Sequence, residues 1–159
     1  MAATIAGLST LGIKMAYAPE TTAGTKPSTG FTQLDRINNI GGIAMDVEKI
    51  DASALEDYAT KYVAGRADTG GDWPVTINFT DETVAQWEQV ISDYNTAQAA
   101  GKNLWFEITL PNQSDAFFVI AQPPQQLPMP EIGQNELLTV EISMTVVEFK
   151  GWLTKETIS

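Results

Sequence analysis

Three stretches of this chain alternate between apolar and polar residues, and that period confines each of them to a half-buried strand. In the first, Trp73, Val75, Ile77 and Phe79 point one way while Pro74, Thr76, Asn78 and Thr80 point the other. In the second, Leu104, Phe106, Ile108 and Leu110 alternate with Trp105, Glu107 and Thr109. In the third and longest, Leu138, Val140, Ile142, Met144 and Val146 form an apolar face, and Thr139, Glu141, Ser143 and Thr145 form a polar one. Successive side chains of a strand lie on opposite faces of a sheet, so a period of two marks a strand rather than a helix. Val147 and Phe149 shift the phase, which predicts a bulge or strand end there.

Between the first two stretches the period changes. Val84, Trp87, Val90, Ile91 and Tyr94 make one apolar stripe at helical spacing. Asp81 and Glu82 stand where a helix N-terminus favours negative charge, and Gly101 supplies the stop. The capping and length rules predict a helix of about 18 residues.

The remaining segments are less regular. Ala116 to Ala121 is apolar on both faces and reads as a strand buried on both sides. Pro123 to Pro130 is too rich in proline for a central strand. Phe31 to Ile40 and Met45 to Ile50 are irregular strand candidates. Leu55, Tyr58, Ala59 and Tyr62 fall at helical spacing before Gly65, and a Gly/Asp-rich loop follows from Arg66 to Asp72. Residues 51–72 therefore read as a long excursion holding a short helix, of the kind that usually carries function. Residues 1–30, with the Pro/Gly/Thr-rich run 19–30, and residues 150–159 read as flexible arms. The expected fold is mainly β (α+β): a β-sandwich or partly closed barrel flanked by one α-helix. At 159 residues, one domain is the natural division.

What the chain lacks narrows its chemistry. It has no Cys and no His. Thiolate nucleophiles, disulfides, imidazole bases and the usual zinc sites are all excluded, which leaves carboxylate chemistry or none and makes an enzyme the least favoured class, with no cofactor or metal expected. Glu107 and Glu141 are a conceivable carboxylate pair if their strands are neighbours, but an acidic solvent face is the simpler reading. Asp68-Thr69-Gly70-Gly71-Asp72 lacks the spacing and closing Glu of a calcium loop. Gly24-Thr25-Lys26-Pro27 lacks the upstream glycine and helix of a phosphate loop. Asn78-Phe79-Thr80 and Asn112-Gln113-Ser114 match the weak glycan-acceptor pattern. Trp105 lies on the polar side of its strand, which suggests an exposed interface residue.

Charge adds a constraint on partners. The chain carries 9 Lys+Arg against 20 Asp+Glu, a formal net charge of -11. From Asn103 to Phe149 there is no Lys or Arg, yet Glu107, Asp115, Glu131, Glu136, Glu141 and Glu148 all fall there. Such a surface repels nucleic-acid phosphate rather than gripping it. Ala16-Tyr17-Ala18 looks like a signal-peptidase site, but no positive residue precedes the apolar part, and Gly7, Ser9, Thr10, Gly12 and Lys14 break it. No run approaches the ~20 apolar residues of a membrane span.

A series of blocks, in order, resembles the major tail tube protein of long-tailed, non-contractile bacteriophages. They are Thr10-Leu11-Gly12-Ile13 with Ala16-Tyr17-Ala18, Ile50 to Asp57, Lys61 to Gly65 with Asp68-Thr69-Gly70, and Thr80-Asp81-Glu82. Leu104 to Ile108, Ala116-Phe117-Phe118, Gln122-Pro123-Pro124, Pro128 to Glu131 and Glu136-Leu137-Leu138 continue the series. The resemblance implies a β-sandwich with one helix, found in the virion after synthesis in the host cytoplasm. It implies homohexameric rings stacked into a tube, which encloses a tape measure protein, meets tail tip and terminator proteins, and conducts DNA without binding it. The tube proteins of contractile tails and of type VI secretion are similar alternatives. A monomeric decoration or carbohydrate-binding module is the competing class.

Two sets of residues follow as expectations. Thr139, Glu141, Ser143 and Thr145 would face the lumen, an assignment that rests on alternation. Leu55, Tyr58, Tyr62 and Val63, the apolar content of the 51–72 excursion, would pack on a neighbouring subunit.

Overall fold

A computed structural model describes residues 11–56, 58–68 and 71–158, without the side chains of 65–68. Seven strands form one antiparallel sheet: β1 (Lys14–Pro19), β2 (Thr32–Leu34), β3 (Ile37–Ile40), β6 (Asp72–Asn78), β7 (Leu104–Thr109), β8 (Asp115–Gln122) and β9 (Thr139–Thr154). Their order across the sheet is β2-β1-β7-β8-β9-β6-β3. A separate two-stranded sheet pairs β4 (Asp46–Asp51) with β5 (Tyr62–Asp68). One helix, α1 (Asp81–Ala99), packs on β1 and β7.

The expected alternation is visible in the core. Trp73, Val75, Ile77, Leu104, Phe106, Val140, Ile142 and Met144 are buried in one cluster with Met15, Tyr17, Leu34, Val119 and the helix residues Trp87 and Val90. Inward residues from strands at both ends of the sheet therefore share one core. The sheet curls around that core without closing. β2 and β3, its two outer edges, are consecutive in the chain and joined by Asp35 and Arg36. Three Cα steps span at most about 11 Å, so the edges lie near each other. Among the described residues β2 and β3 do not pair, and a cleft of about 670 Å³ opens between them. Arg36 turns this corner in the left-handed region, at φ 55. Gln86 of the helix clamps the corner, accepting from the Asp35 amide at 3.0 Å and donating to the Asp35 carboxylate at 2.7 Å.

The helix begins at a capping box. Thr80 Oγ1 accepts from the Thr83 amide at 3.2 Å, and Thr83 Oγ1 accepts from the Thr80 amide at 2.9 Å. Ala100 caps the far end and Gly101 leaves it at φ 72. Its buried line runs through Thr83, Trp87, Val90 and Ala97, leaving the expected Val84, Ile91 and Tyr94 half-buried.

β9 is longer than its alternation suggested. Thr139 to Thr145 pair with β6, and Thr145 to Thr154 pair with β8. The register shifts twice along β8, skipping Val147 and then Lys150. These bulges lie where the phase shift predicted one, and they bend the strand instead of ending it.

Four expectations change. Lys14–Pro19, expected in a flexible arm, is a buried strand inside the sheet; residues 1–10 lie outside the described residues. The C-terminal arm is strand to Thr154, and Ile158 then bridges Phe31 in parallel. No helix forms among the described residues of 51–72: Leu55 and Tyr58 lie in the connection and Tyr62 opens β5. Within the expected Arg66–Asp72 loop, β5 runs to Asp68 and β6 starts at Asp72, while residues 69 and 70 lie outside the described residues. Four apolar residues at helical spacing have no described core to face here, whereas pairing β4 with β5 satisfies both backbones.

Gly41 tests the close packing of β3 against β6. Its amide donates to the Pro74 carbonyl at 2.8 Å, and an added Cβ would stand 2.8 Å from that same oxygen. Gly41→Ala is therefore expected to cost about 1–3 kcal/mol, the usual range for overpacking, as measured by urea unfolding.

Candidate functional site

The outward side chains of β9 form an exposed polar surface. Glu141, Ser143 and Thr145 are exposed and Thr139 is half-buried, while Val140, Ile142 and Met144 between them face the core. Their direct partners across β6 are Thr76, Pro74, Asp72 and Asn78 respectively. β3 continues the surface, with Asn39 opposite Thr76 and the Asn38 side-chain Nδ2 donating to Asn78 Oδ1 at 3.1 Å. The ionisable groups on this stretch of three strands are Asp72 and Glu141, and no Lys or Arg occurs in 37–40, 72–78 or 139–146. The surface is polar and negative.

The second expected set lies elsewhere, on the β4–β5 hairpin. Leu55 and Tyr58 are fully exposed, at 109% and 108%, and Tyr62 and Val63 are more than half exposed. Met45, Val47 and Ile50 add three exposed apolar side chains that the sequence reading counted as ordinary strand residues. The weak alternation of 45–50 was the available signal. Ile50 stands directly opposite Val63. The base of the connection is ordered by polar bonds: the Ser53 amide donates to the Asp51 carboxylate at 2.9 Å and the Lys61 amide donates to Ser53 Oγ at 2.7 Å. The Ser53 amide and hydroxyl hold the Asp51 carboxyl below its ordinary value. A two-stranded hairpin with both faces in water has little stability of its own.

The carboxylate pair does not form. β8 lies between β7 and β9, so Glu107 and Glu141 are not on neighbouring strands. Among the described residues no three His, Cys, Asp or Glu side chains gather as metal ligands. The 68–72 run, whose spacing does not fit a calcium loop, includes residues 69 and 70, which lie outside the described residues. Asn78 is half-buried in β6, and Asn112 sits in the β7–β8 turn at φ 64.

Trp105 is buried, contrary to its expected exposure. It belongs to a second apolar layer on the outer face of β1, β7 and β8, with Ala16, Ala18, Phe31, Ala116, Phe118 and Ile120. Its indole N–H donates to Glu20 Oε2 at 2.9 Å, and the Asn103 amide donates to Glu20 Oε1 at 2.8 Å. Burial opposes the charge on Glu20, but these bonds, the Gly24 amide and nearby Lys150 outweigh it and hold the carboxyl below its ordinary value. Burial, then the bond to Asp93, raises the Tyr17 hydroxyl, which donates to Asp93 at 2.7 Å.

With this geometry in place, comparison shows what the fold is like. Neither family models nor curated proteins gave a match. Among solved structures, the chain is similar to one in the cryo-EM structure of the anti-feeding prophage (AFP) baseplate, 6-fold symmetrised. The TM-score is 0.53 at 13% identity, covering 97% of this chain and 98% of that one. It is also similar to a chain in the tail of an empty GTA particle, computed with helical refinement and C6 symmetry. There the TM-score is 0.54 at 14% identity, covering 90% and 93%. The fold is thus shared with chains of phage-related tail structures, and it is mainly β with an open sheet.

The Glu20 bonds give a test of the second layer. Glu20→Gln is expected to destabilise by about 1.5–3 kcal/mol at neutral pH, the worth of bonds to a charged group. A carboxylate with a depressed folded pKa contributes fully above its unfolded value, here 4.5, and the contribution fades as pH falls through the folded value. The variant should therefore approach wild-type stability as denaturation is repeated below pH 4.5.

Proposed function

We propose that this chain is a structural subunit of a phage-type tail, assembling as homohexameric rings that stack into a tube. The carrying observation is the fold likeness, over 97% and 90% of this chain, to chains of two assemblies with six-fold symmetry. The reading is non-enzymatic, and the chain's place is in the virion.

Two surfaces support it physically. A ring needs one patch that meets a different patch on the next copy, and a tube needs a second such pair. The β4–β5 hairpin, with Leu55, Tyr58, Tyr62 and Val63, is the apolar surface that packs on a neighbouring subunit in this reading. The face carrying Thr139, Glu141, Ser143 and Thr145 lines the lumen. It holds carboxylates and no cations, so DNA passing through is repelled and slides, and a tape measure protein meets a hydrophilic wall. Tail tip and terminator proteins would cap the two ends. A specific observation favours a second reading: one neighbour comes from a baseplate, and in that reading the chain forms a single terminal ring instead of a repeated tube.

Electron microscopy of the concentrated protein and of intact particles tests the assembly. Six-fold rings are expected, repeated along the tail for the tube reading and confined to one end for the baseplate reading. Particles free of the chain, or two-fold dimers alone, would overturn both. Deleting 52–61 is expected to leave a folded protein by circular dichroism that builds no rings; normal tubes from it would refute the hairpin's role. Glu141→Lys is expected to build tubes of normal length and to slow DNA delivery most at low salt, where screening is weakest. Unchanged delivery at low salt would move the lumen to another face.

A further inference from the structure

The outer layer on β1, β7 and β8 is closed by two segments far apart in sequence. One is the loop 20–31. The other is the C-terminal segment after β9, which lies against it. Lys26 Nζ donates to the Thr154 carbonyl at 3.0 Å and pairs with the Glu156 carboxylate at 2.8 Å. Lys155 Nζ donates to the Leu110 carbonyl at 3.2 Å. Half-buried Ile158 bridges Phe31.

Beneath this segment lies a fully buried carboxyl, that of Glu107. Its Oε1 accepts from the Glu156 amide at 3.1 Å. Its Oε2 has no hydrogen-bond partner among the described residues. A buried carboxylate oxygen with no donor is costly when charged and much less so when protonated. The structure thus places one backbone bond of the C-terminal segment on a group whose ionisation is penalised while the segment covers it.

We propose that the segment Thr154–Ile158 is a proton-held latch: it stays docked over Glu107 while that carboxyl is neutral, and it lifts from the outer face as the carboxyl ionises. The surrounding charges are consistent with this. Burial is the largest influence and raises the Glu107 pKa; the Glu156 amide lowers it; the Glu156 carboxylate raises it; Lys26 and Lys155 lower it; the net effect is upward. Lys14 on β1 and Asp115 on β8 are further charged groups on the strands packed here, while Glu20 and Lys150 gather at Trp105. Lifting hydrates Glu107 and returns it to an ordinary value near 4.5. Between that value and the raised one, the docked state binds more protons. Docking therefore weakens as pH rises through this window, by up to about tenfold per pH unit, and is level on either side of it. The latch rests on no part of the tail reading.

Amide hydrogen exchange on the full chain, followed by NMR from pH 4 to pH 8 and corrected for intrinsic rates, tests the latch. Protection of the Glu156 amide is expected to fall about tenfold per pH unit across the window, while that of Val119 in β8 stays level. The Glu107 carboxyl carbon shift should titrate at the upper end of that window, because the docked state predominates below it. In Glu107→Gln, Glu156 protection should not vary with pH. A level wild-type profile, an unmatched Glu107 titration, or the same slope in the glutamine variant would each overturn the latch. If that variant does not fold, the two wild-type profiles decide.

Discussion

A single strand that must serve two neighbours governs this molecule. β9 pairs with β6 along its first half and with β8 along its second, so both parts of the sheet hang on one run of backbone. A flat strand would hold those parts in one plane and leave the apolar side chains of one face in water. The skipped residues Val147 and Lys150 bend it, and Gly151 relieves the bend at φ 80. That curvature lets Met15 and Phe106 share a core with Ile142 and Met144. Everything outward of the core follows, including the polar surface on the first half of β9.

The outer layer obeys a different balance. Two carboxyls, Glu20 and Glu107, are buried within it at either end of β7's reach, and their surroundings push them in opposite directions. Glu20 receives donors on both oxygens and keeps its charge. Glu107 receives one donor and loses the other half of its hydration without return. The same covering segments thus create a fixed polar anchor and a titratable weak point.

The fold was legible wherever the environment of a strand is set by its own side chains. The alternation of Trp73 to Ile77 and of Val140 to Met144 divides core from solvent as the period demands. It failed at Trp105 and Glu107 because the far side of β7 is covered by residues some 50 to 85 positions away, which local periodicity does not sense. The hairpin was misread for a related reason. Leu55, Tyr58 and Tyr62 fit a helical stripe, but a stripe is decided by the surface it faces, and no described core lies there. The joining of Met45, Val47 and Ile50 to them depends on strand pairing across the ten residues between Asp51 and Tyr62. The polar row of β9 was fully legible, since its alternation survives intact.

The short joint at Asp35 and Arg36 carries a consequence for solubility. An open sheet normally presents two free margins to which foreign strands add without limit, the route to fibrils. Here both margins are drawn to the same corner, one of them is three residues long, and a helix glutamine ties them down. A stray strand approaching one margin at this corner meets the other close by. Runaway stacking is thereby discouraged by geometry, in a protein whose sheet remains unclosed.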